Sequence, residues 1–95
     1  MIDLPADHLD IVRGILRSYL PNREIWVFGS RANGAAKKYS DLDLAIVGEP
    51  LPLELESRLA DAFEESDLPI KVDIVDLNKV SPEFGALIRA KRQIL

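Results

Sequence analysis

The sequence predicts an α/β (α+β) sandwich, a small β-sheet with helices packed against it. Two observations carry this. Segments with apolar residues at helical spacing alternate with short runs of β-branched and aromatic residues. Proline or glycine closes most of those segments, so the elements are short and the connections tight. The 95 residues suit one domain, residues 1–95. A chain of this size buries roughly 60–65% of its unfolded surface, enough for one core.

The first element is a helix over Pro5 to Leu20, with Leu9, Val12, Ile15, Leu16 and Tyr19 on one stripe. Pro5 suits its first turn, and Pro21-Asn22 ends it. Glu24 to Phe28 reads as a buried strand closed by Gly29. Ser30 to Ala36 reads as a turn into a short helix that Gly34 weakens. Asp41 to Val47 alternates cleanly and reads as a second strand. Leu53 to Ser66 is a helix with Leu55, Leu59, Ala62 and Phe63 inward and acids outward. Ile70 to Val75 is a third strand. Ser81 caps a last helix that has Pro82 in its first turn and Phe84, Leu87 and Ile88 on its apolar face.

Composition narrows the function. No cysteine is present, so neither a disulfide framework nor a thiolate zinc site is expected, in keeping with a cytoplasmic chain. Met1-Ile2-Asp3-Leu4 does not begin a signal peptide, and no apolar stretch is long enough to span a bilayer. The net charge of −4 argues against non-specific binding to nucleic acid, which relies on Lys and Arg contacts to phosphate. Basic residues gather at Arg31, Lys37 and Lys38 and again at Arg89, Lys91 and Arg92. The second group suits a helix C-terminus, where cations complement the dipole.

The chemistry-bearing residues fall in three places. Residues at i and i+2 of a strand share a face, so Asp41 and Asp43 point together, with Cα atoms roughly 7 Å apart. Two such acids repel, and a divalent cation removes the conflict. A wet strand face would also explain them. Gly29-Ser30 offers a turn whose backbone can approach phosphate, with a hydroxyl donor beside it. Glycine there would equally permit a simple bend. Arg31 could add a planar fork toward phosphate. Asp73 sits among apolar neighbours and needs a wet cleft or a cation such as Lys71. In a site it would be a third metal ligand and a base. Asp76 faces the other way and reads as a strand-end acid. His8 reads as a surface residue, and Trp26 and Phe28 as core.

Gly29-Ser30, then Asp41-Leu42-Asp43-Leu44, then Asp73-Ile74 resembles the signature of the DNA polymerase β-type nucleotidyltransferase superfamily. Phe28-Gly29-Ser30-Arg31-Ala32-Asn33-Gly34 with Tyr39-Ser40-Asp41-Leu42-Asp43-Leu44 is closer still to its minimal nucleotidyltransferases, the MNT family. The resemblance covers nearly the whole chain. It implies a small mixed sheet with the active site on one face. Gly29 and Ser30, with Arg31, would hold a triphosphate. Asp41, Asp43 and Asp73 would bind two Mg²⁺ ions, and ATP would donate AMP to an acceptor hydroxyl with release of pyrophosphate.

Larger relatives carry a further domain for the acceptor, so another chain is expected to hold it here. The resemblance to the antitoxin half of HEPT–MNT toxin–antitoxin pairs implies a HEPT-type helical partner. In those pairs AMP goes to a tyrosine and silences an RNase. The exposed apolar residues Ile94 and Leu95, read as the end of the last helix, are candidates for docking it. Two alternatives stand beside this reading: nucleotidyl transfer to a small molecule, and a non-catalytic antitoxin that works by binding. Three converging acids argue against the second, since binding alone does not need them.

Overall fold

The computed structural model describes all 95 residues. Helix α1 (Ala6–Tyr19) leads to strand β1 (Ile25–Phe28), the single-turn helix α2 (Ser30–Asn33) and strand β2 (Leu42–Ile46). Helix α3 (Leu53–Glu64), strand β3 (Val72–Asp76), helix α4 (Pro82–Ala90) and strand β4 (Gln93–Ile94) follow. The strands lie in the order β3-β2-β1-β4. β1 runs antiparallel to β2 and β4, while β2 and β3 are parallel. A parallel pair needs a long crossover, and α3 supplies it. The sheet is therefore mixed and covered by helices.

Alternation along the strands gives each face its own role. Val27, Leu42, Leu44 and Ile46 point to one side and pack with Val12 and Leu16 of α1 and Leu59 and Phe63 of α3. Removing an aliphatic side chain from such a core typically costs about 2–5 kcal/mol. On the other face Trp26, Ala45 and Ile88 form a smaller cluster, with Phe28, Val47 and Val75 against it. Only α4 covers this second face, so the end carrying Asp43 and Asp73 stays half open.

Most predicted elements lie where periodicity puts them, and the differences have physical causes. Pro5 is the residue before α1, not inside its first turn. The third strand starts later than Ile70 and extends through Asp76. Ser81 caps α4 as expected, its hydroxyl accepting from the Phe84 N–H at 3.1 Å. Of the apolar face expected on α4, only Ile88 is buried, and Leu87 is 70% exposed. A fourth strand replaces the expected helical end. Ile94 pairs opposite Trp26, and the Leu95 N–H donates to the Ile25 carbonyl at 3.0 Å. Two residues are too few for a periodic signal, and this strand exists only because β1 offers it an edge. Leu95 packs against the main core and Ile94 lies on an outer strand, so neither ends a helix as expected.

Asp76 is a strand-end acid, as read, but it is buried at 2% exposure. It accepts from the Leu51 N–H at 2.8 Å, the Asn78 N–H at 2.8 Å and the Asn78 side-chain amide at 2.9 Å. Burial alone would push its carboxyl up. These donors, with Lys79 nearby, outweigh burial and hold it below the ordinary carboxylate value. Asp76→Asn should therefore destabilise the fold by about 1–3 kcal/mol at neutral pH, since an amide cannot accept from all three donors. A group with a lowered folded pKa contributes stability above its unfolded pKa and loses it as pH falls through the folded one. The deficit of Asp76→Asn should thus be full at pH 6–7 and shrink below about pH 4, read by urea unfolding of both proteins across that range.

Candidate active site

The site begins where β1 stops. Gly29 has φ 72° and ψ −154°, a conformation that L side chains rarely adopt. A Cβ placed there would overlap the Asp43 carboxylate. The Gly29 carbonyl accepts from the Ala32 and Asn33 N–H groups, both at 3.1 Å, which turns the chain into α2. Ser30 opens that helix half-buried, and its hydroxyl makes no hydrogen bond within the protein.

Strand register gathers the acids. Asp43 lies opposite Phe28 across the antiparallel pair and level with Asp73 across the parallel one. Asp41 stands just before β2 and is exposed. Burial first, then the charges of Asp73 and Asp41, push the Asp43 carboxyl above its ordinary value, with Lys71 pulling the other way. Asp73 is turned toward the Lys71 ammonium, 3.3 Å away, so the ion pair weighed from sequence is present. The three acids share one neighbourhood, but no three His, Cys, Asp or Glu side chains stand ready to hold a metal ion.

Arg31 differs from expectation. It is 5% exposed, and its guanidinium donates to the carbonyls of Asp3, Lys37, Lys38 and Ser40 at 2.8–3.3 Å. The fork expected at phosphate instead fixes the loop that delivers Asp41. Lys37 and Lys38 are exposed on that loop, where they help line a cleft of about 440 Å³ with Tyr39 and His8. A larger cavity of about 600 Å³ lies between α3 and β3 and reaches the acids only through Lys71 and Asp73.

One aromatic contact beside the site has no signal in the sequence. Phe28, beside Asp43, meets Phe84 of α4 edge to face, with ring centroids 5.9 Å apart and planes at 81°. Separated by most of the chain, the two rings leave no local signal.

A nucleotidyltransferase-domain family model matches residues 9–94. A probable protein adenylyltransferase, MntA of Haemophilus influenzae, is 48% identical over 89 residues, covering 93% of this chain and 78% of that protein. The crystal structure of a toxin–antitoxin with AMP-PNP superposes with a TM-score of 0.66 at 26% identity, covering 90% of this chain and 69% of its own. A mutant MntA–HpeT toxin–antitoxin in which tyrosine is replaced by alanine gives 0.64 at 27% identity, covering 92% and 70%.

The crowded acid and the strained glycine should respond to substitution in opposite ways. A raised folded pKa means that ionised Asp43 destabilises the fold above that pKa, and that the penalty fades as pH falls through it. With divalent metal chelated, Asp43→Asn should raise the melting temperature at pH 7, and the gain should vanish near pH 4. Gly29→Ala should lower it by about 4–8 °C or more, since strain at a glycine-only conformation costs about 1–3 kcal/mol. Thermal melts across pH check both.

Proposed function

We propose, because this chain belongs to the nucleotidyltransferase domain family, that it is a minimal protein adenylyltransferase, a single domain moving AMP from ATP to a tyrosine hydroxyl of a HEPT-type toxin in the cytoplasm. The observation that carries this is the register that sets Asp43 between the Gly29 turn and Asp73. The 48% identical protein named an adenylyltransferase supports a protein acceptor, and the AMP-PNP complex supports ATP as donor. The mutant MntA–HpeT pair supports a toxin partner.

The chemistry of the three carboxylates, if not their present spacing, suits Mg²⁺, and two ions are the number this reading calls for. Asp43 carries charge that burial and two like neighbours disfavour, and a cation answers that conflict. Asp41, Asp43 and Asp73 would hold the ions, which supply charge neutralisation for the entering and leaving oxygens. The backbone at Gly29 and the free hydroxyl of Ser30 bind the triphosphate. A phenol has an ordinary pKa of about 10 and needs a base at neutral pH. Asp73 accepts the phenolic proton as the oxygen bonds to the α-phosphorus. The bond to the bridging α–β oxygen breaks, and pyrophosphate leaves with its electron pair. Transfer to a small molecule, or antitoxin action by binding alone, would leave the partner's mass unchanged.

Asp73→Asn should keep partner binding and most Mg-ATP binding while lowering transfer by about 10²–10⁴-fold, the usual contribution of a positioned base. Co-expression with a HEPT-type toxin, followed by intact mass spectrometry of that toxin, checks this. A partner that never gains an AMP mass, or gains it equally with Asp73→Asn, would defeat the proposal.

A further inference from the structure

Strand β3 carries Asp73 and is also a free edge of the sheet. The order β3-β2-β1-β4 leaves its outer side without a neighbour. In a parallel ladder, successive residues turn their backbone groups alternately toward the partner strand and away from it. The Leu42 N–H donates to the Lys71 carbonyl at 2.9 Å, and Leu42 stands opposite Val72. Lys71, Asp73 and Val75 therefore face β2 with their backbone groups, while the N–H and C=O of Val72 and Ile74 point outward. None of the turn, loop or cap hydrogen bonds uses those groups. The opposite edge, β4, is only two residues long. A five-residue edge without proline is the kind that accepts another strand.

A groove runs beside this edge. The cavity of about 600 Å³ between α3 and β3 is lined by Phe63, Leu68 and Ile70, with Val72 and Ile74 on its strand side. Glu56, Ala60 and Glu64, spaced four apart on one face of α3, line it from the helix. Glu56 is paired with Lys79 at 3.0 Å, whereas Glu64 is exposed and belongs to no ion pair. Asp73 is the third acid of the lining and Lys71 its one base, so the groove is net acidic and reaches the site at Asp73.

We propose that the β3 edge docks the acceptor: the partner's tyrosine arrives in an extended, basic segment that adds a fifth strand beside β3. This rests on the adenylyltransferase reading above. The backbone of that segment meets the outward N–H and C=O of Val72 and Ile74, which a helix, its own backbone already paired, does not satisfy. A tyrosine level with Asp73 falls on the acid face, with its Cβ about 5 Å from that of Asp73. Asp43 lies one strand farther in, a spacing of about 4.8 Å that the length of a phenol can cross. The residues flanking the tyrosine alternate to the other face, where the groove takes apolar side chains against Phe63 and Ile70. Basic residues of the segment meet Glu64. The tyrosine thus lies outside the partner's helices.

The test uses the full chain, isotope-labelled for NMR, and a HEPT-type toxin, without ATP. Amide exchange is read residue by residue. In the chain alone Val72 and Ile74 should exchange fast and Asp73 and Val75 slowly, and bound toxin should slow Val72 and Ile74 at least tenfold. Val72→Pro removes one outward N–H and keeps every bond to β2, at the first position of the strand, where proline is tolerated. It should weaken toxin binding at least tenfold, with Mg-ATP affinity by calorimetry within twofold of the parent. Ala60→Arg, at an exposed helical position, narrows the groove and repels a basic segment. It should weaken binding several-fold and, in transfer assays, raise KM for the toxin with kcat nearly unchanged. Exchange at Val72 and Ile74 that the toxin leaves unaltered overturns the dock, as does parental affinity in both variants or a toxin that does not bind the parent chain. Protection of these amides that grows with the chain's own concentration assigns the edge to a second copy and overturns it too. If AMP never reaches a bound toxin, the catalytic reading fails, while the ATP-free exchange still decides whether the edge docks the partner. Should Val72→Pro not fold, the exchange pattern and Ala60→Arg decide.

Discussion

Asp43 stands where a side chain at residue 29 would have to be. That constraint ties the turn to the acid. It requires glycine at the end of β1, and it requires β1 and β2 to pair so that Phe28 meets Asp43. A slip of one residue would send Asp43 into the core and bring Leu42 or Leu44 out, because side chains alternate along a strand. The apolar packing of Leu42, Leu44 and Ile46 against α1 and α3 therefore also fixes where the carboxylate stands. The parallel pairing of β3 then sets Asp73 level with it.

The two faces of the sheet divide the work. The face under α1 and α3 holds the larger core, including the fully buried Val12, Leu42, Leu44, Ile46 and Leu59. The other face accepts what a core could not, a half-buried acid pushed upward by burial and by two neighbours of its own sign. Such a local penalty is tolerable because the packing that stabilises the chain lies on the far side. Sites commonly give up stability for reactive geometry, and here the sacrifice is confined to one end of one face.

Features that depend on local pattern were legible in the sequence. Helical and strand spacing located α1, β1, β2 and α3, and the alternation around Leu42 told which acids face away from the core. Ser81 and Pro82 marked the start of α4. What sequence could not show depends on long-range geometry. Arg31 lies next to the Gly29-Ser30 turn, where a fork toward phosphate is the obvious reading, yet it binds the carbonyls of Lys37, Lys38 and Ser40 in the irregular loop that follows and of Asp3 near the start of the chain, contacts that no periodic pattern marks. Asp76 was placed correctly at a strand end, but its partner Leu51 lies across a loop and a helix. β4 has no periodicity of its own, and Leu87 looked inward because its neighbour Ile88 is. The pairing of Phe28 with Phe84 likewise exists only once α4 has folded onto the sheet.

The acids are brought to one face, and they are not held equally firmly. The Lys71–Asp73 pair has side chains 70% and 41% exposed. Pairs in such surroundings contribute about 0–1 kcal/mol, because water competes for both partners. Turning Asp73 away from Lys71 therefore costs little. Arg31 works in the opposite sense. Its buried guanidinium is bound to four residues' carbonyls, so the loop ending at Asp41 resists movement. One acid is held by the turn, one by a pinned loop, and the third is tethered only by a weak surface pair. The Gly29 turn and the Asp41 loop are thus held by more contacts than the Asp73 side chain is.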